Sequence, residues 1–259
     1  MTYYDQHVHT YFSFDSQAQF EAYLAQTTHP FVTTEHLEMA NPDDGGRDDA
    51  PDYAAYVAKL AALRQQVPNQ LLRGIEVGYY APKQAALSAY LAAGDYDLVL
   101  LSFHHDGQYD YQDKHFLTVP LRAHVEAYYD RMLAGLTAFD GADVLAHFDY
   151  GLRVLTVTPT QLIDWVGPTL KRILQTVIAK DMALEFNAKS AYQWDNLALY
   201  ERVLPWYVQL GGTKVTLGSD AHTADKFETH FEDAKTILRA AGVTHLTTYR
   251  AHHAELEAL

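Results

Sequence analysis

The chain has 259 residues, with 19 Lys and Arg against 33 Asp and Glu for a net charge of −14, no cysteine and 14 histidines. The missing cysteine excludes disulfides, a thiolate nucleophile, a zinc ribbon and an iron–sulfur cluster. The acidic balance argues against non-specific binding to nucleic acid or anionic lipid, which takes clustered Lys and Arg. No apolar run approaches the ~20 residues of a membrane span, and Met1–Thr10 is polar with neither a basic start nor an apolar core, so a soluble cytoplasmic protein is expected.

In chain order, Tyr3–His9 is the first predicted strand, and Ser16 is a plausible N-cap for a helix carrying Phe20, Tyr23 and Leu24 at helical spacing. A second strand, Phe31–His36, leads into Asn41–Pro51, whose Gly, Pro and Asp content predicts a surface loop. Asp52–Val67 has a helical stripe (Tyr53, Tyr56, Val57, Leu60, Leu63) that Pro68 stops. Strands are expected over Leu71–Tyr79 and Asp97–His104, then a long helix striped by Val125, Tyr128, Met132, Leu136 and Phe139. Asp143–Phe148 is the next strand, and Thr158-Pro159 opens a helix with Pro at its first position. Ala183–Asn187, Lys214–Gly218 and a weaker run at His245–Tyr249 complete the strands. Roughly seven strand–helix units with no break in composition predict one α/β domain over 1–259, a closed parallel barrel. No G-x-G-x-x-G follows the first strand to support a dinucleotide fold.

Chemistry collects at the strand ends. Asp5, His7 and His9 lie at i, i+2 and i+4, on one face of a strand, and in a parallel barrel that face meets the C-terminal mouth. Two imidazoles buried there call for a reason, and a metal ion supplies one. The pattern recurs: Thr34-Glu35-His36, Glu76 between Ile75 and Val77, His104 after Ser102, His147, and Asp220-Ala221-His222. A carboxylate such as Glu76 inside an apolar run is costly to bury unless it meets a cation. Asp15, just beyond the first strand, suits either a helix N-terminus or a metal.

This ordered set resembles the polymerase-and-histidinol-phosphatase (PHP) family of metal-dependent phosphoesterases: His7-x-His9, Asp15, His36, Glu76, His104, His147 and Asp220-x-His222 fall in family order from Asp5 to His222. The resemblance implies a distorted (β/α)7 barrel with two or three divalent ions (zinc, iron or manganese) at its mouth. One site would use His7, His9, Glu76 and Asp220, a second Asp15, His36 and His222, and a third Glu76, His104 and His147. Asp5 would orient a ligand imidazole from behind. Within the family, Leu72–Tyr79, Asp97–His104, Asp143–Asp149 and Leu217–His222 are similar to histidinol-phosphate phosphatases.

Two departures from that pattern matter. His104-His105 doubles a histidine where those enzymes carry one; alternation points His104 to the side of Ser102, leaving His105 as a candidate substrate contact. Arg153 and Lys189 are the candidate phosphate contacts, although the stretch after His147 does not space its basic residue as those enzymes do. The implied reaction is hydrolysis of a small phosphorylated metabolite, histidinol phosphate first, by a hydroxide between metals, with Asp220 or His222 protonating the leaving oxygen. Asp106, Asp110 and Asp149 are candidates to meet the cationic end of such a substrate. An exonuclease would need a basic, aromatic-interleaved groove, and the Lys and Arg here are scattered. An amidohydrolase would need a lysine on the fourth strand, which Asp97–His104 lacks, and a noncatalytic relative would have lost ligands. No motif specifies an oligomeric state.

Overall fold

Short apolar strands alternating with amphipathic helices produce a parallel sheet, because each crossover helix returns the chain to the same end of the sheet. The computed structural model describes residues 3–259; the first two residues of the polar Met1–Thr10 start lie outside that range. The strands are β1 (Phe31–Asn41), β2 (Arg47–Asp49), β3 (Leu71–Gly78), β4 (Leu98–Ser102), β5 (Val144–Leu145), β6 (Ala183–Asn187) and β7 (Val215–Gly218), in the order β2-β1-β3-β4-β5-β6-β7. All neighbouring pairs are parallel except β1 with β2.

The expected first strand, Tyr3–His9, closes this sheet without forming a regular ladder. Its backbone reaches β7 and the residues beyond it through Gln6 N–H to Leu217 O and Asp220 N–H to His7 O, and reaches β1 through Thr34 N–H to Val8 O. His9 N–H also reaches Ala221 O, whereas side chains take two donors: His7 N–H goes to Asp5 Oδ1 and Val8 N–H to Thr34 Oγ1. The segment is buried, but polar side chains replace part of its ladder.

Helix α1 (Phe20–Leu24) precedes β1; α2 (Tyr53–Leu63), α3 (Gln84–Ala92), α4 (Leu121–Ala138), α5 (Pro159–Ala179) and α6 (Leu197–Gln209) lie between successive strands, and α7 (Phe231–Ala240) follows β7. Their stripes bury against the outer face of the sheet: Val125, Tyr128, Met132 and Leu136 of α4 pack with Leu162, Val166, Leu170 and Ile173 of α5. Asp52 caps α2 through Ala55 N–H, and Thr158 with Gln161 forms a capping box on α5. Ser16 does not cap α1; its hydroxyl donates to His222 O, and α1 begins at Phe20. The second strand runs past His36 to Asn41, and the expected Asn41–Pro51 loop is a hairpin through a short 3-10 turn into β2.

An apolar layer of Val32, Leu72, Leu98, Leu100, Val144 and Ala183 fills the lower part of the barrel. The weak last run forms a separate antiparallel hairpin, β8 (His245–Arg250) with β9 (His253–Ala258), that seals the N-terminal end. Its Tyr249 joins that layer, and its turn binds Asp97 and Asp143, which precede β4 and β5. With the bottom plugged, polar inward residues collect at the C-terminal end of the strands.

Candidate metal centre

Register places the candidate ligands. His36 pairs with Glu76 across β1 and β3, level with Leu100 at the top of the apolar fill, and Glu38, Gly78 and Ser102 share the next layer. Strand β4 delivers His104 just past its end, β5 delivers His147, and the chain after β7 delivers Asp220 and His222. Asp220 adopts a positive φ of 52, so its side chain turns inward immediately after the strand.

These residues converge on Glu76, which is fully buried. Its Oε2 lies 3.2 Å from His7 Nε2, 3.4 Å from His9 Nε2 and 3.0 Å from His36 Nδ1. Its Oε1 lies 3.1 Å from His104 Nε2 and 2.7 Å from His147 Nε2, and accepts from Ser102 Oγ. Asp15 Oδ2 lies 2.9 Å from His222 Nε2 and 3.5 Å from His36 Nε2. Asp220 Oδ1 lies 3.6 Å from His9 Nε2 and 3.4 Å from His222 Nδ1. All nine candidate ligands therefore form one connected cluster. The tight triads within it cut across the three expected sites: His7, His9 and Glu76 share one, but His36 also groups with Glu76 and His104, and His7 with His147 and Asp220.

The tautomers show that this cluster suits cations. His7 Nδ1 donates to Glu185 Oε1 at 2.7 Å. His9 Nδ1 donates to Ser13 Oγ, whose own proton goes to Glu35 Oε2. The two Nε2 atoms face each other at 3.0 Å. A positive charge has to lie with them, either a proton on His7 Nε2 or a metal ion in its place. His104 is held the same way, Nδ1 donating to Glu38 Oε2 at 2.6 Å. Fixing Nδ1–H on an acceptor so that Nε2 points inward is how proteins prepare imidazole for a metal.

The field has the matching sign. Asp15, Glu76 and Asp220 line the cluster, with Glu35, Glu38 and Glu185 behind it. Burial alone would depress the His7 imidazole, but Glu185 and Glu76 override it and hold its pKa well above the usual value; Asp15 and Glu76 do the same to His36. His9 goes the other way, pushed down by burial and by His222 and His36. Glu76 stays ionised against its burial because His7, His104 and His36 surround it.

The cluster opens through a recess lined by seven of the nine candidate ligands together with Gln112, Tyr150, Arg153 and Lys189; His7 and His9 lie beneath, fully buried. Arg153 stacks over Tyr150 at 4.5 Å and donates to Asp220 Oδ2 and Ser190 Oγ. Lys189 Nζ lies 3.1 Å from Asp220 Oδ1 and 3.2 Å from His222 Nδ1. Wider hollows around Asp143 and His252 lie at the opposite end of the barrel and hold none of the candidate ligands.

Three expectations are corrected. His105 does not line the recess: it is buried, its Nδ1 accepts Gly107 N–H and its Nε2 lies 3.0 Å from Glu38 Oε1, so neither nitrogen is left for substrate. Asp5 holds the backbone N–H groups of His7 and Ser219 rather than an imidazole. Asp149 is buried against Asn196 and Tyr200, and Asp106 is spent on the turn amides of Gln108 and Tyr109, which leaves Asp110, bonded to the recess-lining Tyr150 OH, as the one of the three beside the recess. Sequence reasoning missed Glu35, Glu38, Glu185, Gln112 and Tyr150. Glu185 carried the signal that exposed Glu76, a carboxylate inside an apolar strand; Glu38, two residues after His36, was legible by alternation once β1 was known to continue.

Fold and site together define a plugged β/α barrel whose C-terminal rim assembles histidines and carboxylates for divalent cations, the distorted (β/α)7 architecture expected from the motifs. Residues 5–189 match the PHP domain, and the chain belongs to that family. It is 25% identical over 236 residues to a probable histidinol-phosphatase of Clostridium acetobutylicum, covering 89% of this chain and 91% of the relative. It is 24% identical over 255 residues to the histidinol-phosphatase of Lactococcus lactis subsp. lactis, covering 95% and 93%. A crystal structure of histidinol phosphate phosphatase from Lactococcus lactis subsp. lactis, complexed with zinc, L-histidinol and phosphate, superimposes with a TM-score of 0.83 at 23% identity, over 97% of this chain and 98% of that one. At that identity the superposition shows the shared fold.

Proposed function

We propose that this chain is a metal-dependent phosphoric monoester hydrolase that converts histidinol phosphate and water to histidinol and phosphate. The observation that carries this reading is the placement of two cationic side chains, Arg153 and Lys189, beside a cluster whose imidazole nitrogens converge on Glu76. The relatives named above supply the substrate.

Bound divalent ions would acidify a water and neutralise phosphoryl oxygens, the electrostatic help a slow-hydrolysing phosphate ester needs. The ligand sets would be His7, His9, Glu76 and Asp220; Asp15, His36 and His222; and Glu76, His104 and His147, with zinc, iron or manganese all suited to such donors. The chain's own residues do the rest. Arg153, anchored by Ser190 and Asp220, presents its remaining donors to phosphate oxygens. Lys189 is the more accessible cation and follows the charge as it moves to the leaving oxygen. Asp220, although buried, is held well below the carboxylate range by Lys189, His7 and Arg153, so it acts ionised, as a ligand. The proton for the leaving oxygen comes from the Lys189–His222 pair, which is in contact at 3.2 Å. Asp110, beside Tyr150, would meet the amine of histidinol phosphate.

The test is a hydrolysis panel with histidinol phosphate, p-nitrophenyl phosphate, a nucleoside monophosphate and a single-stranded oligonucleotide, with metal content measured on the same preparation. Preferred turnover of histidinol phosphate that chelation abolishes and zinc or manganese restores is expected. Faster release of phosphate from the nucleotide would overturn the substrate, and activity without metal would overturn the site.

A further inference from the structure

Glu38 lies two residues beyond His36 on β1, so its side chain points into the barrel one layer above that histidine. It is buried, and it pairs across the sheet with Gly78, where a Cβ would overlap its carboxylate. The missing side chain on β3 is thus the cradle in which Glu38 lies. From there the carboxylate reaches two consecutive histidines: Oε2 accepts His104 Nδ1–H at 2.6 Å, and Oε1 lies 3.0 Å from His105 Nε2.

The two tautomers are fixed and opposite. His105 Nδ1 accepts the backbone N–H of Gly107, so its proton is on Nε2 and faces Glu38. His104 donates from Nδ1 to Glu38, and its Nε2 faces Glu76 Oε1, 3.1 Å away, the position where a metal ion would replace a proton. One carboxylate thus accepts a hydrogen bond from His104 and lies within 3.0 Å of His105, whose ring points in a different direction. His104 belongs to the cluster, whereas His105 starts the loop of residues 105–117 and bridges to Asp110. That loop returns Gln112 to the rim of the recess, where it bonds Tyr150.

We propose that Glu38 is a positioning residue with two attachments: it presents His104 Nε2 to a metal ion shared with Glu76 and His147, and through His105 it ties the substrate-facing loop to that ligand. This rests on the metal-centre reading above. Gln at position 38 keeps the shape but offers one acceptor and one donor where two protons arrive, so one of the two imidazoles must turn or lose its partner.

Three measurements test it. Wild-type protein loaded with zinc is first assayed for bound metal; protein that retains none would remove the metal-centre reading itself, and the inference with it. Glu38→Gln is expected to weaken retention of one ion about 10–100-fold in competition with a chromophoric chelator, leaving the others held as in wild type; full retention of every ion overturns the positioning role. His105→Phe, which keeps the volume and removes the contact, is expected to retain wild-type metal content while KM for histidinol phosphate rises more than kcat falls; an unchanged KM overturns the tie to the loop. Should Glu38→Gln fail to fold, side-chain nitrogen NMR of the zinc-loaded wild type decides: His104 protonated on Nδ1 and His105 on Nε2 supports the arrangement, and the reverse tautomer at His104 overturns it.

Discussion

Replacing Glu76 by Gln is the most direct probe of the centre, because the change preserves volume and removes one charge. Five imidazole nitrogens lie within 3.4 Å of this carboxylate, and Ser102 donates to it as well. An amide keeps one oxygen for His104 and His147 or for the His7, His9 and His36 side, and presents N–H groups to the other. Taking one partner from a fully buried charged group costs about 3–5 kcal/mol. At ~1.4 kcal/mol per tenfold, that is a loss of roughly 10²–10⁴ in affinity for the ions that share Glu76. The assay is titration of metal-free protein with zinc against a chromophoric chelator, with circular dichroism to confirm the fold and release of phosphate from p-nitrophenyl phosphate to follow turnover. Zinc affinity within about threefold of wild type, or turnover that survives, would refute the placement of Glu76 as the shared anionic ligand.

Other consequences can be checked on the same preparations. Stripping metal with a chelator should lower Tm, since one site at a thousandfold excess over Kd contributes ~4 kcal/mol, or about 8–16 °C for a chain of this size; scanning fluorimetry with zinc added back checks this, and an unmoved Tm would contradict it. Glu185→Gln should leave the fold intact but reduce metal affinity about 10–100-fold, because His7 Nδ1 loses its charged acceptor; the same chelator competition reads it. Gly218→Ala should destabilise by about 1–3 kcal/mol in urea unfolding and depress metal binding, because the new Cβ would overlap Glu185 and the His7 side chain.

The sequence by itself determined most of the strands, four of the helices and the ligand types, while α3, α6, α7, β2 and β9 went unpredicted from periodicity. Chain-local physics was enough for that: helical stripes ended by Pro68 or opened by Thr158-Pro159, apolar runs of strand length, and polar residues recurring at run ends. Alternation alone pointed His104 inward and His105 elsewhere. What only the tertiary structure decided was who stands behind the ligands. Tyr3–His9 is too occupied with side-chain hydrogen bonds to be a regular strand, and β1 runs five residues beyond His36, which puts Glu38 beside His104, 66 positions away in sequence. Glu185 meets His7 across 178 positions, and Lys189 meets Asp220 across 31. Such pairings depend on register between strands and on glycines, Gly78 and Gly218, that leave room for a neighbour's carboxylate. Neither quantity is written in any single stretch of chain, because both are properties of two strands laid side by side.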